Sequence, residues 1–389
     1  MEEKKKIVNV LHSGDLHLGA GGRDREKREE RFIVFTRLLA AARREKASAL
    51  LLAGDFLEQA ALTEEELMRI RSMLSDFASP DCPVFITPGN HDPADPLSPY
   101  RRENFWPEEV YILIEPCCLP FPELGFSLSG AGFRQVYQRE PLLPKIEAAY
   151  EAAEAEGKLS DCPLALAVLH GEIRQGPGGL YNPIDLKDLA ASPFHYLALA
   201  HVHATDETLR QAGPVYFSFC GAPQGSSKKD EGEKGARLLR FEGAKLRDSR
   251  LLPLAVRVFR SLDVTLEAAS NAEEALQQIR AQIDEASRRF RDEKCCWSLH
   301  LKGESAGQYI PDPEQLKQHL ESSGYLISGI EDQTRFRYDE DKLRKEDSLR
   351  GLFFRDMEKK MAASSGEERD IYELALRLGL DAFRGDLIS

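Results

Sequence analysis

This chain lacks long apolar runs and lacks the cysteine spacings of a disulfide-stapled protein. No run of about 18 or more apolar residues occurs, so we expect no transmembrane helix. The stretch from Met1 to Lys6 is charged where a signal peptide has an apolar core. The seven cysteines are an odd number without CxxC spacing, which indicates reduced thiols. These absences predict a cytoplasmic protein with no membrane attachment.

An excess of basic residues is also missing. The 389 residues include 52 lysines and arginines against 65 aspartates and glutamates, a net charge of -13. This negative net charge argues against a protein that binds nucleic acid through a basic surface. It leaves open a protein that meets phosphates at bound cations, because the charge of a metal is local and absent from the count. The length suits two or three domains, each with its own core.

The sequence does contain five short polar motifs, each directly after a segment predicted to be a buried strand. A single Asp-x-His or His-x-His pair is weak on its own, because turns also produce it. Ligands at the carboxyl ends of several strands, however, converge in space. Aspartate, histidine and asparagine together suit two divalent cations, and two cations suit hydrolysis of a phosphate ester. In order, the motifs are Asp15-Leu16-His17, Gly54-Asp55, Gly89-Asn90-His91-Asp92, His170-Gly171 and His201-Val202-His203.

Strands and helices alternate over residues 1–252, which predicts an α/β domain with a largely buried sheet. The predicted strands cover 7–11, 49–53, 84–87, 164–169, 196–200, 215–219 and 237–241. The predicted helices cover 32–42, 63–78 and 144–156, and the second opens on a capping box that starts at Thr63.

The character of the chain changes near Pro253. Strands at 256–266, 297–301 and 325–330 with helices at 271–290 and 313–322 predict a small α+β module over 253–335. Residues 336–389 are predicted to form a helical hairpin with apolar faces and a break at 364–366. Packing against the rest of the chain and docking on a partner both remain open for these faces.

The order DxH, GD, GNHD, H, HxH resembles the calcineurin-like metallophosphoesterases. The similarity is greater still to their DNA-repair exonuclease branch, the SbcD-type nuclease subunits. It covers residues 7–245, and beyond 253 only the layout is similar. Two departures are visible. Ala200 stands where glycine usually precedes the HxH motif. The second motif often continues with an aromatic residue and then histidine or aspartate, and here it continues as Phe56-Leu57-Glu58. The narrower match rests on the stretch from Leu11 to Gly19, which is close to "H-x-SDLHLG", on His170-Gly171-Glu172, and on Gly221-Ala222-Pro223-Gln224-Gly225 followed by Glu233-Lys234-Gly235.

This resemblance implies a two-sheet α-β-β-α sandwich core, a small α+β capping domain and a C-terminal helical hairpin. It implies phosphodiester hydrolysis by a hydroxide that two metals activate, with Mn²⁺ expected and Mg²⁺, Fe²⁺ or Zn²⁺ as alternatives. His91, paired with Asp92, is placed to be a general acid or to steady the phosphate, and the alternative is a histidine that only supports a ligand. Glu58 could support a ligand or lie on the surface. The implied ligands are Asp15, His17 and His203 for one cation, Asn90, His170 and His201 for the other, and Asp55 as the bridge.

The implied function is a metal-dependent DNA nuclease, the nuclease subunit of a repair complex with an SbcC-like coiled-coil ATPase. The C-terminal helices would dock on that ATPase, through Leu352, Phe353, Met357, Leu374 and Leu378. A phosphatase acting on monoesters, phosphoproteins or nucleotides is one alternative. A non-catalytic scaffold, with Ala200 as a sign of decay, is another. A homodimer is left open. Two loops could meet a DNA backbone or form a solvated surface; they carry Arg23, Arg25, Lys27 and Arg28, and Lys228 and Lys229.

Overall fold

The computed structural model describes residues 6–174, 176, 178–290, 294–305, 309–336 and 338–384. The chain forms two compact units. One is Met1–Arg260 with Asp292–Cys296, and the other is Ser261–Arg291 with Trp297–Ser389. The finer division at 252 and 335 stays a prediction.

Eighteen strands and helices build the first unit over the described residues. In chain order they are β1 (Ile7–Ser13), α1 (Arg25–Arg44), β2 (Ala49–Leu52), α2 (Glu64–Phe77), β3 (Val84–Ile86), β4 (Val110–Ile112), β5 (Cys117–Phe121), β6 (Phe126–Ala131), α3 (Leu143–Ala155), β7 (Leu164–His170), β8 (Glu172–Arg174), β9 (Pro183–Asp185), α4 (Leu186–Ala191), β10 (Tyr196–Ala200), β11 (Arg210–Ala212), β12 (Val215–Phe219), β13 (Gly235–Glu242) and β14 (Lys245–Pro253).

The two large sheets of this unit have parallel centres, and all their edge strands except β4 are antiparallel to their neighbours. The first sheet has the order β14-β13-β1-β2-β3-β4, and β1 to β4 are parallel. The second has the order β11-β12-β10-β7-β6-β5, and β6, β7, β10 and β12 are parallel. The edges β14, β11 and β5 are antiparallel to their neighbours. Within each sheet, the carboxyl ends of the parallel strands therefore share one edge.

Three apolar cores separate four layers. Between the sheets, Val8, Leu51 and Phe85 of the first sheet pack with Leu166 and Tyr196 of the second. A second core lies between the first sheet and the helices α1 and α2. A third lies between the second sheet and α3 and α4. Helices, sheet, sheet and helices follow one another, so the predicted α-β-β-α sandwich is confirmed.

The helices of this unit follow local sequence signals where the signals are strong. The capping box at α2 is present as predicted: the Thr63 hydroxyl accepts from Glu66 N, and the Glu66 carboxylate accepts from Thr63 N. α1 begins at Arg25, well before residue 32, with Asp24 accepting from Lys27 N. Its first turns are charged, so apolar periodicity could not reveal them.

The second unit begins inside a long strand and ends in helices. Asn271 caps its first helix by accepting from Glu274 N, as expected. Within the described ranges, no helix combines the length and the apolar character that crossing a bilayer requires. A four-stranded sheet has the order β15-β16-β17, with β18 pairing β16. The elements are β15 (Arg257–Ala269), α5 (Ala272–Ser287), β16 (Lys294–Ser305), α6 (Pro313–Ser322), β17 (Leu326–Asp332), β18 (Arg335–Phe336), α7 (Glu340–Lys345), α8 (Leu349–Ala363) and α9 (Glu367–Arg384).

The helices α8 and α9 form the expected hairpin, but its packing differs from the prediction. Phe354 and Leu380 are buried and pack with Leu343 of α7, a helix that the sequence did not predict. Met357, predicted to contact a partner, is only 8% exposed. This correction has a physical reason: α7 supplies a cover for one face of the hairpin. The large apolar side chains that stay exposed, called the exposed stripe below, are Leu349, Leu352, Ile371, Leu374, Leu378 and Phe383.

Candidate metal centre

The five polar motifs lie at the edge where the parallel strands end. In the first sheet, Asp15 follows β1 and Asp55 follows β2, while Asn90 lies in the segment after β3. In the second sheet, His170 is the last residue of β7, and His201 follows β10. Both sheets therefore contribute to one cluster, as convergence at strand ends predicts.

The first and last motifs form one group of donors. Asp15, His17 and His203 offer ligand atoms that all lie within 4.8 Å of one another. The two imidazoles face each other, with His17 Nε2 3.2 Å from His203 Nε2. Both carboxylate oxygens of Asp15 lie 3.1 Å from the main-chain nitrogen of His201. This contact orients the carboxylate of the first sheet towards the histidines of the second.

A second group surrounds the amide oxygen of Asn90. Asn90 Oδ1 lies 3.0 Å from His170 Nε2 and 3.1 Å from His201 Nδ1. His170 Nδ1 lies 3.0 Å from the carbonyl oxygen of Ala53, so that nitrogen donates and Nε2 keeps its lone pair for the cluster. Asp55 lies between the groups, with Oδ2 3.4 Å from His170 Nε2 and 3.9 Å from His17 Nε2.

The backbone at this edge is strained. Asp15, His17 and Asp55 have φ values of 49°, 48° and 48°, and His201 has a φ of 102°. Residues other than glycine rarely adopt positive φ, and they keep such a strained conformation only where the surrounding structure holds it. Four of the eight non-glycine residues with positive φ in the described ranges lie in these motifs. This concentration is typical of a functional site.

The charges of the cluster suit cations. Asp15 and Asp55 are buried, and no lysine or arginine of the described residues forms an ion pair with either. Burial and the neighbouring charge of Asp55 raise the pKa of Asp15 well above its usual range. Burial opposes ionisation of Asp55 too, but the imidazoles of His170 and His17 outweigh it and lower the pKa. Buried carboxylates need a charged partner, and the mixed donors around them fit divalent metals.

Comparison with known proteins gives the family. The sequence profile described as calcineurin-like phosphoesterase matches residues 8–204, half of the chain. The chain belongs to this family. Its members are phosphoester hydrolases that use divalent metals. Among the described residues, three groups of side chains could hold a metal ion: Asp15, His17 and His203; Asp15, Asp55 and His170; and His17, Glu58 and His91.

Two relatives and two solved structures put this calcineurin-like phosphoesterase in context. Over 246 residues it is 25% identical to "Uncharacterized metallophosphoesterase YhaO" of Bacillus subtilis (strain 168), covering 60% of this chain and 57% of that one. Over 124 residues it is 31% identical to the D subunit of the nuclease SbcCD of the same organism, covering 30% and 31%. The chain thus spans about half of the first relative and a third of the second.

The two structures are less similar. Sulfate thiohydrolase SoxB of Thermus thermophilus, in complex with glycerol, matches with 13% identity and a TM-score of 0.39, over 72% of this chain and 61% of that one. Vacuolar protein sorting 29 from Cryptosporidium parvum matches with 14% identity and a TM-score of 0.30, over 64% and 99%.

His91 of this phosphoesterase lies beside the cluster and contacts Glu58. The His91 Nδ1 is 3.0 Å from Glu58 Oε2, and the same oxygen is 3.5 Å from His17 Nδ1. The hydrogen bond with Glu58 raises the pKa of His91 to about 9. Of the two alternatives for Glu58, the contacts favour support of the cluster, because its carboxylate bonds His91 and lies next to His17.

The predicted pairing of His91 with Asp92 is corrected. The buried carboxylate of Asp92 accepts from Gly89 N at 2.6 Å, Leu57 N at 2.9 Å and the Tyr100 hydroxyl at 2.6 Å. Consecutive side chains in a turn point apart, so Asp92 turns inward while His91 faces the edge. Asp92 fixes the loop that carries Asn90, and burial and the charge of Asp55 raise its pKa to about 7.

Two tyrosines near the centre were not anticipated. The Tyr181 ring lies 4.6 Å from the His201 ring and 5.8 Å from the Tyr137 ring, measured between centroids. Tyr137 is 53% exposed. The sequence predicted no aromatic platform, because these residues are far apart in the chain and carry no motif. The isolated pairing of Gln138 with Tyr181 is what brings them together.

The basic loop after the first motif is not a free cationic surface. Arg28 donates to the carboxylate of Glu66 at 2.6 Å and to the carbonyl oxygen of Ala61 at 3.0 Å, and it also bonds the Gly19 carbonyl. Lys27 pairs with Asp24 at 3.6 Å. Arg28 and Lys27 therefore pair part of their positive charge with groups of the same chain. The basic loop after the first motif therefore offers less to a DNA backbone than its sequence indicates.

Proposed function

We propose that this calcineurin-like phosphoesterase is a divalent-metal-dependent DNA nuclease. The observation that carries the proposal is the aromatic surface beside His201, which consists of the half-buried ring of Tyr181 and the exposed ring of Tyr137. Nucleobases stack on aromatic side chains whatever their sequence. A ring next to a centre that takes phosphate suits a base that flanks the scissile bond. A phosphorylated serine or threonine offers no such group. The name of the second relative, a nuclease, agrees with this substrate class.

The side chains of the cluster have distinct tasks in this proposal. When bound, two cations would lower the pKa of an attacking water and balance the charge on the phosphoryl oxygens. Asp55, between the two histidine groups, would hold both. The strained backbone fixes the donors before any metal arrives, so little reorganisation is needed. The proposed ligands are Asp15, His17 and His203 on one side and Asn90, His170 and His201 on the other.

His91 would act as the general acid. Glu58 occupies its Nδ1, so Nε2 is the nitrogen that can hand a proton to the leaving oxygen. Its raised pKa keeps the imidazole protonated at neutral pH. Asp92 would not touch the substrate in this scheme. It would keep Asn90 and His91 in place through its bonds to Gly89 and Leu57.

The proposal is tested with labelled duplex and single-stranded DNA in the presence of manganese or magnesium. We expect metal-dependent cleavage, and we expect Asp55→Ala to abolish it because both cations depend on this carboxylate. Hydrolysis of phosphomonoesters or phosphoproteins without any cleavage of DNA would support the phosphatase alternative. Binding of an ATPase without hydrolysis of any phosphoester would support the scaffold alternative.

A sharper test concerns the aromatic surface. Tyr181→Ala should reduce cleavage of an ordinary single strand by roughly 5- to 150-fold, the equivalent of about 1–3 kcal/mol for one stacked base. The same variant should cleave a strand with an abasic site beside the scissile bond as well as the native chain does. Tyr181→Phe keeps the ring and is the matched control. Equal losses on both strands would remove the aromatic surface from the proposal.

The proposed partner is a coiled-coil ATPase, and the proposed setting is the cytoplasm. The exposed stripe on α8 and α9 is the surface offered for docking, since amphipathic helices bind partners by laying their apolar face in a hydrophobic groove. Leu352 is 56% exposed and Leu374 is 48% exposed, so their burial would be favourable. The name of the second relative, which describes one subunit of a nuclease, agrees with a partner.

A further inference from the structure

The loop between β10 and β11 carries two of the proposed metal ligands under strain. His201 follows β10 with a φ of 102°, a conformation that L side chains rarely adopt. His203 lies two residues further on, outside any strand or helix. A strained loop keeps one conformation only if contacts along it leave no alternative. The contacts that hold this loop therefore decide where His203 points.

Three points of the loop are held. At its start, the His201 nitrogen donates to the Asp15 carboxylate at 3.1 Å. In its middle, the carbonyl oxygen of His203 accepts from Lys234 Nζ at 3.1 Å and from Ala222 N at 3.2 Å. At its end, the Asp206 carbonyl accepts from the guanidinium of Arg237.

Lys234 is an unusual residue for this task. Its side chain is 4% exposed, and lysine is almost never so buried unless it is paired. Within the described residues it forms no ion pair, and the acceptor of its amine is the His203 carbonyl. Its own carbonyl accepts from Leu254 N at 3.0 Å, which fixes its main chain against the end of β14. The buried amine of Lys234 thus donates to the backbone of His203, one of the proposed metal ligands.

Gly221 reaches the same point from another side. It has a φ of 72°, and a Cβ added there would lie 2.7 Å from the His203 carbonyl oxygen and 2.5 Å from Thr205 Oγ1. The absence of a side chain lets the Ala222 N–H approach that carbonyl. The segment from Gly221 to Gly235 is part of the family resemblance described above. Gly221 and Lys234, near its two ends, meet at one atom, the carbonyl oxygen of His203.

We propose that Lys234 is a positioning residue for His203. Its amine and the backbone around Gly221 clamp the His203 carbonyl and so aim the imidazole at Asp15 and His17. The proposal rests on the ligand role of His203 given above, and it does not depend on the substrate being DNA. Removing the clamp should weaken the cation that His203 shares with Asp15 and should leave the other cation in place.

The test is Mn²⁺ binding to the full-length chain, measured by calorimetry, for Lys234→Met and Lys234→Arg. Lys234→Met keeps the packed methylenes and removes the donor. We expect it to weaken one of two sites by about 10- to 100-fold, as loss of a group that orients a ligand usually does. Lys234→Arg keeps a donor and should recover most of the affinity. Lys229→Met, at an exposed lysine of the same segment, is the matched control and should bind like the native chain.

Thermal unfolding of the metal-free variants separates positioning from folding. We expect Lys234→Met to melt within a few degrees of the native chain. Equal weakening of both sites, unchanged affinity, or failure to fold would overturn the proposal. Gly221→Ala, which presses on the same carbonyl, should reproduce the selective loss, and normal binding by it would also count against the clamp. His203→Ala identifies the affected site; if it keeps both cations, the ligand assignment fails and this proposal with it.

Discussion

Among single residues, His91 has the contacts that best separate catalysis from metal retention. It is next to Asn90 in sequence, yet its side chain bonds Glu58, and its main-chain nitrogen donates to Asp55 Oδ1 at 2.8 Å. We predict that His91→Ala keeps both metals and lowers the rate of hydrolysis by about 10²–10⁴, the usual contribution of an acid–base group. Elemental analysis beside rate measurements provides the check. If metal content falls in step with the rate, His91 is a ligand.

The packing of Gly14 against Ala200 gives a second prediction about single residues. Glycine usually precedes the HxH motif, and serine precedes the aspartate in the motif opening, where this chain has Gly14. A Cβ added to Gly14 would lie 2.4 Å from the Cβ of Ala200. The resemblance places the larger side chain at position 14 and glycine at position 200, whereas this chain has them the other way round, so we expect these two differences to compensate each other.

We predict that Gly14→Ser destabilises the chain by about 1–3 kcal/mol, the cost of overpacking a filled site. The double variant Gly14→Ser with Ala200→Gly should recover most of that loss, since glycine at position 200 removes the Cβ that the serine would meet. Urea unfolding of the metal-free proteins measures both. If the effects of the two substitutions add without recovery, the residues are independent and the compensation is wrong.

The sequence predicted which residues form the cluster but not how its supports are arranged. The motif residues follow apolar strands, so parallel-strand geometry was enough to bring Asp15 and His201 together. Glu58 could not be assigned, because its direction depends on the turn after Asp55. Tyr181 and Lys234 carry no local signal at all. Their roles arise from tertiary contacts across separate elements.

At the scale of elements, apolar runs predicted the central strands well and the edges poorly. The strands β2, β7 and β10 are buried at every residue and appear in the sequence as continuous apolar segments. The edge strand β14 mixes exposed and half-buried residues, and Lys245, Arg247, Asp248 and Arg250 interrupt it with charge, so it gave no clear pattern. Short strands such as β8 and β9 contain too few residues for any periodicity to show.

The hairpin provides a prediction about elements. Deleting the residues after 337 removes α7, α8 and α9 together with the small core of Leu343, Phe354 and Leu380. The remaining chain should keep its metals and its hydrolytic activity near normal, because the centre lies in the first unit. It should no longer co-purify with a coiled-coil ATPase. Aggregation or early melting of the truncated protein would show that the helices serve the fold.

A substitution in the full chain tests the docking surface without removing the hairpin. Leu352→Glu with Leu374→Glu should weaken the complex, since each buried leucine is worth about 1.5–3 kcal/mol before ordering costs. Leu97→Glu is the matched control, because Leu97 is 92% exposed and lies in the first unit. A complex that survives the double substitution would move the contact elsewhere.

For the whole molecule, metal binding and stability are linked. The donors come from both sheets, so the cluster exists only when the sheets pack on each other. A ligand that binds the native state alone stabilises it by about 2.7 kcal/mol per site when its concentration is a hundred times the dissociation constant. We predict that a chelator lowers the melting temperature and that added manganese raises it in a concentration-dependent way. Asp55→Ala should show no such dependence.

The contact between Asp15 and His201 also has a consequence for synthesis. These residues are 186 positions apart, and the bond between them joins the first strand of one sheet to the loop after a central strand of the other. A growing chain that does not yet include His201 and His203 lacks at least one ligand of each donor group. We therefore expect metal binding and hydrolytic activity only in chains that extend past His203, and a chain that ends before β10 should show neither.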